Sequence, residues 1–227
     1  MTLCVIKIGG SLIDVSRDIV RGLVSLLEEG ICFLIVPGGG PMADLVRSLY
    51  DRYDLSEETA HWMAILSMEV YAHFLADGTG AALTEDIKPP FSGVRILLPS
   101  RLLMEDDREL EHSWEYTSDS VAALVASRLS VDLVKATDVE GVILDGGVAV
   151  EVSAEELLGI ESCIDQGALR ILRRSGSSCL VLDGRDPGRF VANLGRAGGG
   201  TLIRGRGVGR SGPDVRESLY PGIDQGR

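Results

Sequence analysis

The chain has 227 residues, 45% of them hydrophobic, and its 34 acidic and 22 basic residues give a formal net charge of −12. This length and hydrophobic content suit one large domain, or two closely joined lobes, with a substantial core. The negative charge argues against a general nucleic-acid-binding surface, because a phosphate backbone is attracted to positive fields.

The cysteines and the N-terminus bear on the cellular compartment. Cys4, Cys32, Cys163 and Cys179 lie far apart without a C-x-x-C pair, and no histidine stands at zinc-finger spacing. We therefore expect buried free thiols and assign no metal ligand from the sequence. The N-terminus lacks the charged-then-apolar layout of a signal peptide, and no apolar run reaches the roughly 18 residues of a membrane span. A soluble cytoplasmic protein without membrane contact is expected.

Two apolar runs near the N-terminus each end in glycines: residues 3–8 before Gly9 and Gly10, and residues 32–36 before the cluster at 38–40. Helical spacing of apolar residues over 15–27, and Pro41 at a first helical turn, predict β-α-β-α over residues 3–53. Parallel strands end at one edge of a sheet, so two sets of backbone N–H groups would meet there, and such groups bind phosphate.

Lys7 directly precedes the first glycine cluster. A lysine beside phosphate-binding amides indicates phosphoryl chemistry. The plainer alternative is that the glycines form tight turns and that Lys7 is an edge residue near solvent.

The remaining residues continue this alternation. Helices are predicted over 61–76, 121–128, 163–174 and 187–194, and strands over 94–98, 131–136, 179–182 and 201–203. The residues at 145–147 predict a hairpin turn, and the acidic run at 105–111 a solvated loop or helix end. The expected fold class is α/β, a three-layer α/β/α sandwich with a mainly parallel central sheet. Residues 204–227, rich in Gly, Arg, Pro and Asp, are expected to form a weakly structured tail.

Five short motifs follow one another along the chain: KIGGS at 7–11, VPGGGP at 36–41, TSDS at 117–120, KATDVEGV at 135–142 and GGGTLI at 198–203. This ordered set resembles the amino acid kinase family across almost the whole chain. The resemblance implies a small-molecule kinase that uses ATP and Mg²⁺ and forms a homo-oligomer. It also implies a single domain over 1–203, with an acceptor lobe of about 1–112 and a nucleotide lobe of about 113–203.

The resemblance assigns roles to individual residues as well. Lys7 would contact the transferring phosphoryl group, and Asp119 matches an aspartate that orients catalytic lysines, the alternative being an ordinary helix cap. Nucleotide-binding candidates are Gly9, Gly10, Ser11, Lys135, Thr137, Asp138, Val139 and Gly141, although a plain hairpin would also explain the segment at 137–141. Acceptor-binding candidates are Gly38, Gly39, Gly40, His61, Trp62 and Glu69, of which His61 and Trp62 would equally suit a helix core.

One departure from the family concerns a second catalytic lysine. Relatives often carry it on a helix after a G-x-M-like turn, where this chain reads DQGALR at 165–170. No lysine follows Lys135, so Arg170, or alternatively Arg173, is expected to supply the charge, because guanidinium also binds phosphate well.

The acceptor is suggested by HWMAILSME at 61–69 and by the pair Ser113-Trp114. Both are most similar to a branch of the family that acts in methanofuran biosynthesis and makes a diphosphate from a phosphate monoester. The implied acceptor is [5-(aminomethyl)furan-3-yl]methyl phosphate, whose ammonium group favours a nearby acid such as Glu69, although a polar residue facing a lobe interface would also explain Glu69. A phosphate acceptor is already an anion and needs no general base. Two alternatives stay open: a kinase for a carboxylate or an isoprenoid phosphate, and a non-catalytic nucleotide-binding, anion-binding or storage protein of this fold.

Overall fold

The computed structural model of the chain describes residues 2–27, 31–88, 92–194 and 199–206. Its strands are β1 (Thr2–Ile8), β2 (Ile31–Pro37), β3 (Ala82–Thr84), β4 (Gly93–Leu97), β5 (Leu133–Thr137), β6 (Ile143–Leu144), β7 (Gly147–Val148), β8 (Glu151–Ser153), β9 (Cys179–Asp183) and β10 (Thr201–Arg204). Its helices are α1 (Ser16–Ser25), α2 (Gly40–Tyr53), α3 (Glu57–Ala76), α4 (Pro99–Glu105), α5 (Ser118–Arg128), α6 (Ala154–Leu157), α7 (Gln166–Ser175) and α8 (Pro187–Asn193), with a 3₁₀ turn at Gly10–Leu12.

The central sheet has eight strands in the order β3-β4-β2-β1-β5-β9-β10-β8. β9 and β10 pair antiparallel, whereas the other neighbours in this sheet pair parallel. The predicted mainly parallel α/β sheet is therefore confirmed. β6 and β7 form a separate antiparallel hairpin that turns at Asp145 and Gly146, where both φ angles are positive, as the Asp-Gly pair predicted.

The inner strands are buried on both faces, which explains their continuous apolar sequences. Along β1, Val5 belongs to a hydrophobic cluster with α5 and α7, whereas Ile6 and Ile8 belong to a cluster with α1 and α8. Helices thus cover both faces of the sheet and leave the carboxyl ends of β1, β2 and β5 at one edge.

Several boundaries differ from the predicted ones for local reasons. α3 begins at Glu57 rather than at residue 61, because the hydroxyl of Ser56 caps it by accepting the N–H of Thr59. α7 begins at Gln166 rather than at residue 163, because Asp165 is its N-cap. The short elements β3, α4, α6 and β8 were not predicted, since elements of three to seven residues carry little periodic signal.

The predicted buried thiols are present for Cys4, Cys32 and Cys179, while Cys163 is partly exposed; all four are free. In the described part of the chain, no helix is both long and apolar enough to cross a membrane. Of the predicted C-terminal tail, residues 207–227 lie outside the described residues.

Candidate active site

Lys7 and Lys135 lie side by side at the carboxyl ends of two neighbouring parallel strands. They are register partners of β1 and β5. Val5 and Leu133, two residues earlier in each strand, pack in the cluster that contains α5. Because side chains alternate along a strand, both lysines point to the α5 side of the sheet. Both are buried, with 7% and 4% of their surface exposed.

Asp119, in the first turn of α5, joins the two ammonium groups. Its Oδ1 lies 2.8 Å from Nζ of Lys7, and its Oδ2 accepts a hydrogen bond from Nζ of Lys135. These three side chains together carry one net positive charge. A buried cation of this kind is stabilised when an anion binds beside it.

The pKa values of this group follow from burial and from the shared carboxylate. Burial alone would raise the pKa of Asp119, but the two ammonium groups hold it well below its usual range. Burial lowers the pKa of Lys7, and Asp119 offsets this only in part. For Lys135, the effect of Asp119 outweighs that of burial, so its pKa is raised. Lys7 is thus the less firmly protonated lysine.

The two glycine turns are packed against each other next to Lys7. A Cβ on Gly10 would overlap both Cα and N of Gly40, and Gly40 has a φ of +55°. Such contact between two backbone turns is possible only for glycine. Tyr71 of α3 supports this contact by donating its hydroxyl to the carbonyl of Gly9, at 3.3 Å.

Two of the predicted phosphate-binding amides are engaged inside the protein. The N–H of Gly9 donates to the carbonyl of Ala136 at 3.1 Å, and that of Gly38 donates to Ile8 at 2.9 Å. The first N–H groups of a helix have no intrahelical acceptor. The 3₁₀ turn starts at Gly10 and α2 starts at Gly40, so the first N–H groups of both elements are of this kind.

A cavity of about 420 Å³ opens onto the lysines and the glycine turns. α2 forms one wall and α3 a second, and the irregular segment between α4 and α5 contributes Leu110, Ser113, Trp114 and Tyr116. Ser11 and Thr137 add hydroxyl groups at the lysine end. The cavity therefore combines cationic and hydrogen-bonding groups with an aromatic wall, as expected of a site for an anionic molecule with a flat ring.

Of the nucleotide-binding candidates in and after β5, only those within the strand line the cavity. Lys135 and Thr137 line the cavity, whereas Asp138, Val139 and Gly141 lie in the following turn and do not. Gly141 has a structural reason to be glycine: its φ is +159°, and a Cβ there would lie 2.8 Å from Cγ1 of Val148.

His61, on the cavity face of α3, carries an unused hydrogen-bonding atom. Its Nε2 is buried and has no hydrogen-bond partner in the described residues. Burial lowers the pKa of His61 to about 4, so the ring is neutral near neutral pH. A buried polar atom without a partner in a cavity wall suits contact with a ligand.

The ring of His112 stacks on that of His61, with centroids 3.8 Å apart and an interplanar angle of 14°. Its Nδ1 contacts Glu58 of α3, and its Nε2 lies 3.0 Å from Asp107. Burial lowers the pKa of His112, but the hydrogen bonds to these two carboxylates outweigh it and raise the pKa. His112 thus links the segment after α4 to α3.

Ligand atoms of His61, Asp107 and His112 lie within 4.8 Å of one another, which is close enough for a shared cation. A metal ion binds an imidazole nitrogen in the plane of the ring, along its lone pair. Two nearly parallel stacked rings do not offer one ion a position in both planes. The stacked arrangement itself therefore does not form a metal site.

Trp62, Glu69 and Arg170 also lie outside the cavity lining. Trp62 donates its indole N–H to Glu58 at 2.8 Å and packs against the core. Glu69 accepts the N–H of Ser100 at 3.0 Å, in the first turn of α4. Arg170 forms an ion pair with Glu115 at 2.7 Å.

Neither arginine proposed as the second cation lines the cavity. Arg173 forms an ion pair with Glu155 at 2.7 Å, so both candidate arginines are engaged with acids outside the cavity lining. The cation beside Lys7 is Lys135, which strand pairing brings into register with it.

Sequence reasoning missed Arg47 of α2, which lines the cavity. Its guanidinium lies 5.1 Å from the centroid of the Trp114 ring and forms a 2.7 Å ion pair with Asp44. Its position seven residues after Gly40, two helical turns along the same face, was a usable signal.

The chain is similar to known proteins over most of its length. The model of the amino acid kinase family matches residues 2–89. The chain is 32% identical over 199 residues to the [5-(aminomethyl)furan-3-yl]methyl phosphate kinase of Methanocaldococcus jannaschii, covering 82% of this chain and 90% of the relative. It is 26% identical over 224 residues to the uridylate kinase of Methanothermobacter thermautotrophicus, covering 88% and 98%.

Among solved structures, the uridylate kinase of Archaeoglobus fulgidus has a TM-score of 0.63 at 19% identity, covering 89% of this chain and 100% of that one. At this identity, the likeness concerns the fold. The relatives, the matched family model and the ordered motifs together show that the chain belongs to the amino acid kinase family.

Proposed function

We propose that this kinase transfers the γ-phosphoryl group of ATP to a phosphate monoester and that the acceptor is [5-(aminomethyl)furan-3-yl]methyl phosphate. The observation that carries the proposal is that Lys7 and Lys135 are buried at the end of the cavity and both contact the carboxylate of Asp119. Transfer between two phosphates requires two polyanions to meet, and positioned cations lower that repulsion most in a site with little water.

In the proposed reaction, an oxygen of the acceptor phosphate attacks the γ-phosphorus of ATP, a new P–O bond forms, and ADP leaves with the electrons of the broken bond. The acceptor carries no proton that a base must remove near neutral pH. Lys7, whose Nζ lies beside the glycine turn at Gly9, faces the transferring group, while Asp119 keeps both ammonium groups in place.

The donor groups of the site fit a polyphosphate. Ser11, Thr137 and the helix start at Gly10 offer hydrogen-bond donors beside the lysines. Both oxygens of Asp119 are engaged by lysines, so Mg²⁺ would be held chiefly by phosphate oxygens and water, as is common for this ion, and would neutralise part of the phosphate charge.

The acceptor side of the cavity supports an aromatic acceptor with a phosphate at one end and an ammonium group at the other. Trp114 contributes an aromatic ring to the lining, and the unpartnered Nε2 of neutral His61 offers a hydrogen-bonding atom. Glu69 contacts α4 instead of the cavity, and Asp44 is paired with Arg47. Glu57, which lines the cavity at the start of α3, is therefore the acid proposed for the acceptor ammonium group.

A panel of acceptors tests this proposal. The purified chain is supplied with ATP, Mg²⁺ and, in turn, the aminomethylfuran phosphate, UMP, an isoprenoid phosphate and N-acetylglutamate, and ADP release is followed. The proposal expects the highest kcat/KM with the aminomethylfuran phosphate. Turnover of UMP alone would make the chain a uridylate kinase, a candidate that the 26% identical relative favours. Nucleotide binding without turnover of any acceptor would favour a binding protein.

The proposal includes a cytoplasmic homo-oligomer. Leu66, Val70 and Phe74 on α3 are 50%, 56% and 38% exposed, and their spacing of four residues puts them on one face of the helix. An exposed apolar stripe of this kind suits association with a second copy of the chain. Light scattering on the wild type and on Val70→Glu tests this: a monomeric wild type would rule the oligomer out.

A further inference from the structure

Asp165 lies between the first turns of two helices and accepts hydrogen bonds from both. It is the N-cap of α7, where its Oδ1 accepts the N–H of Ala168 at 2.6 Å. On the α5 side, its Oδ2 accepts the N–H and the hydroxyl of Thr117, at 3.0 and 2.7 Å. Ser120 adds its N–H at 3.1 Å and its hydroxyl at 2.5 Å. One carboxylate thus receives five hydrogen bonds from two helix starts.

This arrangement replaces the usual cap of α5. Thr117 is the N-cap of α5, yet its side chain makes no capping bond within its own helix and turns to Asp165 instead. The N–H of Ser120, one of the first-turn groups that have no intrahelical acceptor, is therefore satisfied by Asp165 at the start of α7. Asp119 lies in this turn, between Thr117 and Ser120, so the four bonds that Thr117 and Ser120 make to Asp165 also hold the backbone of Asp119.

The packing around this contact leaves little freedom. A Cβ on Gly167 would overlap Oγ of Ser120 and the ring of Tyr116, and the N–H of Gly167 donates to the carbonyl of Glu115 at 2.9 Å. The first turn of α7 therefore touches the segment that leads into α5.

We propose that Asp165 is a positioning residue. It holds the first turn of α5 in the position from which the carboxylate of Asp119 contacts both Lys7 and Lys135. The catalytic part of this inference rests on the function proposed above, whereas the positional part does not. A displacement of about 1 Å in such a group can lower a rate about 100-fold.

Charge gives Asp165 a second effect on the lysines. The charged groups that face Lys7 are Asp119 of α5, Lys135 of β5 and Asp165 of α7, and the carboxylate of Asp165 raises the pKa of Lys7. Replacing it by an amide would lower that pKa and make Lys7 more nucleophilic at a given pH.

The test compares Asp165→Asn with Asp186→Asn. Asp186 is a matched control, because it caps α8 by accepting the N–H of Arg189 at 3.0 Å and is not among the charged groups that influence Lys7. Ser120→Ala, which removes a single bond to Asp165, is a milder second variant if Asp165→Asn does not fold.

The first measurement needs no substrate. The chain has three lysines, Lys7, Lys88 and Lys135, so acetic anhydride labelling followed by mass spectrometry reports each of them separately. In Asp165→Asn, and to a smaller degree in Ser120→Ala, labelling of Lys7 and Lys135 should rise severalfold while exposed Lys88 is unchanged; Asp186→Asn should match the wild type. The inference is overturned if Lys7 and Lys135 are labelled equally in Asp165→Asn and in Asp186→Asn. If Asp165→Asn does not fold, equal labelling in Ser120→Ala and in Asp186→Asn overturns it.

The second measurement is steady-state kinetics with ATP and the acceptor preferred by the wild type. We expect kcat of Asp165→Asn to fall about 10- to 100-fold with little change in KM, and the basic limb of the pH profile to move to lower pH. Unchanged kcat and pH profile would overturn the catalytic part. If the wild type turns over no acceptor, the proposed function fails, and the labelling result still decides whether Asp165 positions the lysines.

Discussion

Lys7 and Lys135 are register partners on adjacent parallel strands, and their ammonium groups meet on a single carboxylate. Two buried ammonium groups that contact the same carboxylate repel each other, so the arrangement is stable only while Asp119 lies between them. Both lysines also line the cavity, where an anion that binds beside them would be stabilised.

Lys135, and not Arg170, should supply the second cation. Lys135→Met keeps the apolar stem but removes the charge, and we expect kcat to fall about 100- to 1,000-fold, as for loss of one preorganised charge. Arg170→Met is the control, since Arg170 pairs with Glu115 outside the cavity lining, and it should keep nearly full kcat. Steady-state assays of both variants check this; a larger loss for Arg170→Met would return the role to the arginine.

The local part of this site could be predicted from the sequence, but the long-range pairing that brings its residues together could not. Lys7 directly precedes the first glycine cluster, and the second cluster ends the next predicted strand, so their pattern predicted one phosphate-binding edge. The register of Lys7 with Lys135 depends on β5 pairing with β1, a long-range choice that no local pattern encodes. Glu69 was expected to face the acceptor but lies outside the cavity lining, for a related reason. Because α3 is apolar almost all round, its sequence does not indicate which face meets the cavity.

The contact between the glycine turns should not tolerate a methyl group. In Gly10→Ala, the new Cβ would overlap the backbone of Gly40, so the turns must separate and the phosphate-binding edge must distort. We expect ATP affinity, measured by calorimetry, to fall at least about tenfold. Gly147→Ala is the matched control, because nothing lies within 4 Å of a Cβ there. Equal affinity in the two variants would count against the role of the turns.

Glu69 should act on stability rather than on the acceptor. Its carboxylate caps the first turn of α4 through the N–H of Ser100, so Glu69→Ala should lower the free energy of unfolding by about 1 kcal/mol, as for loss of a helix cap. The KM of the acceptor should not change. Glu57→Gln should behave in the opposite way, with a higher KM for an acceptor that carries an ammonium group and little change in stability. Denaturant unfolding and kinetics on both variants separate the two roles.

His112 should make stability depend on pH. Its pKa is raised in the folded state, so its protonated form stabilises the fold below the ordinary value near 6.5, and this stabilisation is lost as the pH rises through the folded value. Between pH 6.5 and 9, the free energy of unfolding should fall more for the wild type than for His112→Gln. His61, with a pKa of about 4, stays neutral over this range in the folded state. Parallel pH dependences in the two proteins would contradict the contact with Glu58 and Asp107.

The most direct test of the account is ³¹P NMR of the products that the wild type and Asp119→Asn form from ATP, Mg²⁺ and the aminomethylfuran phosphate. We expect the wild type to give ADP and a new diphosphate with two coupled phosphorus signals, and the variant to form it at least about 100-fold more slowly, because both lysines lose their shared carboxylate. Absence of the diphosphate with the wild type, or an equal rate in Asp119→Asn, would contradict the account.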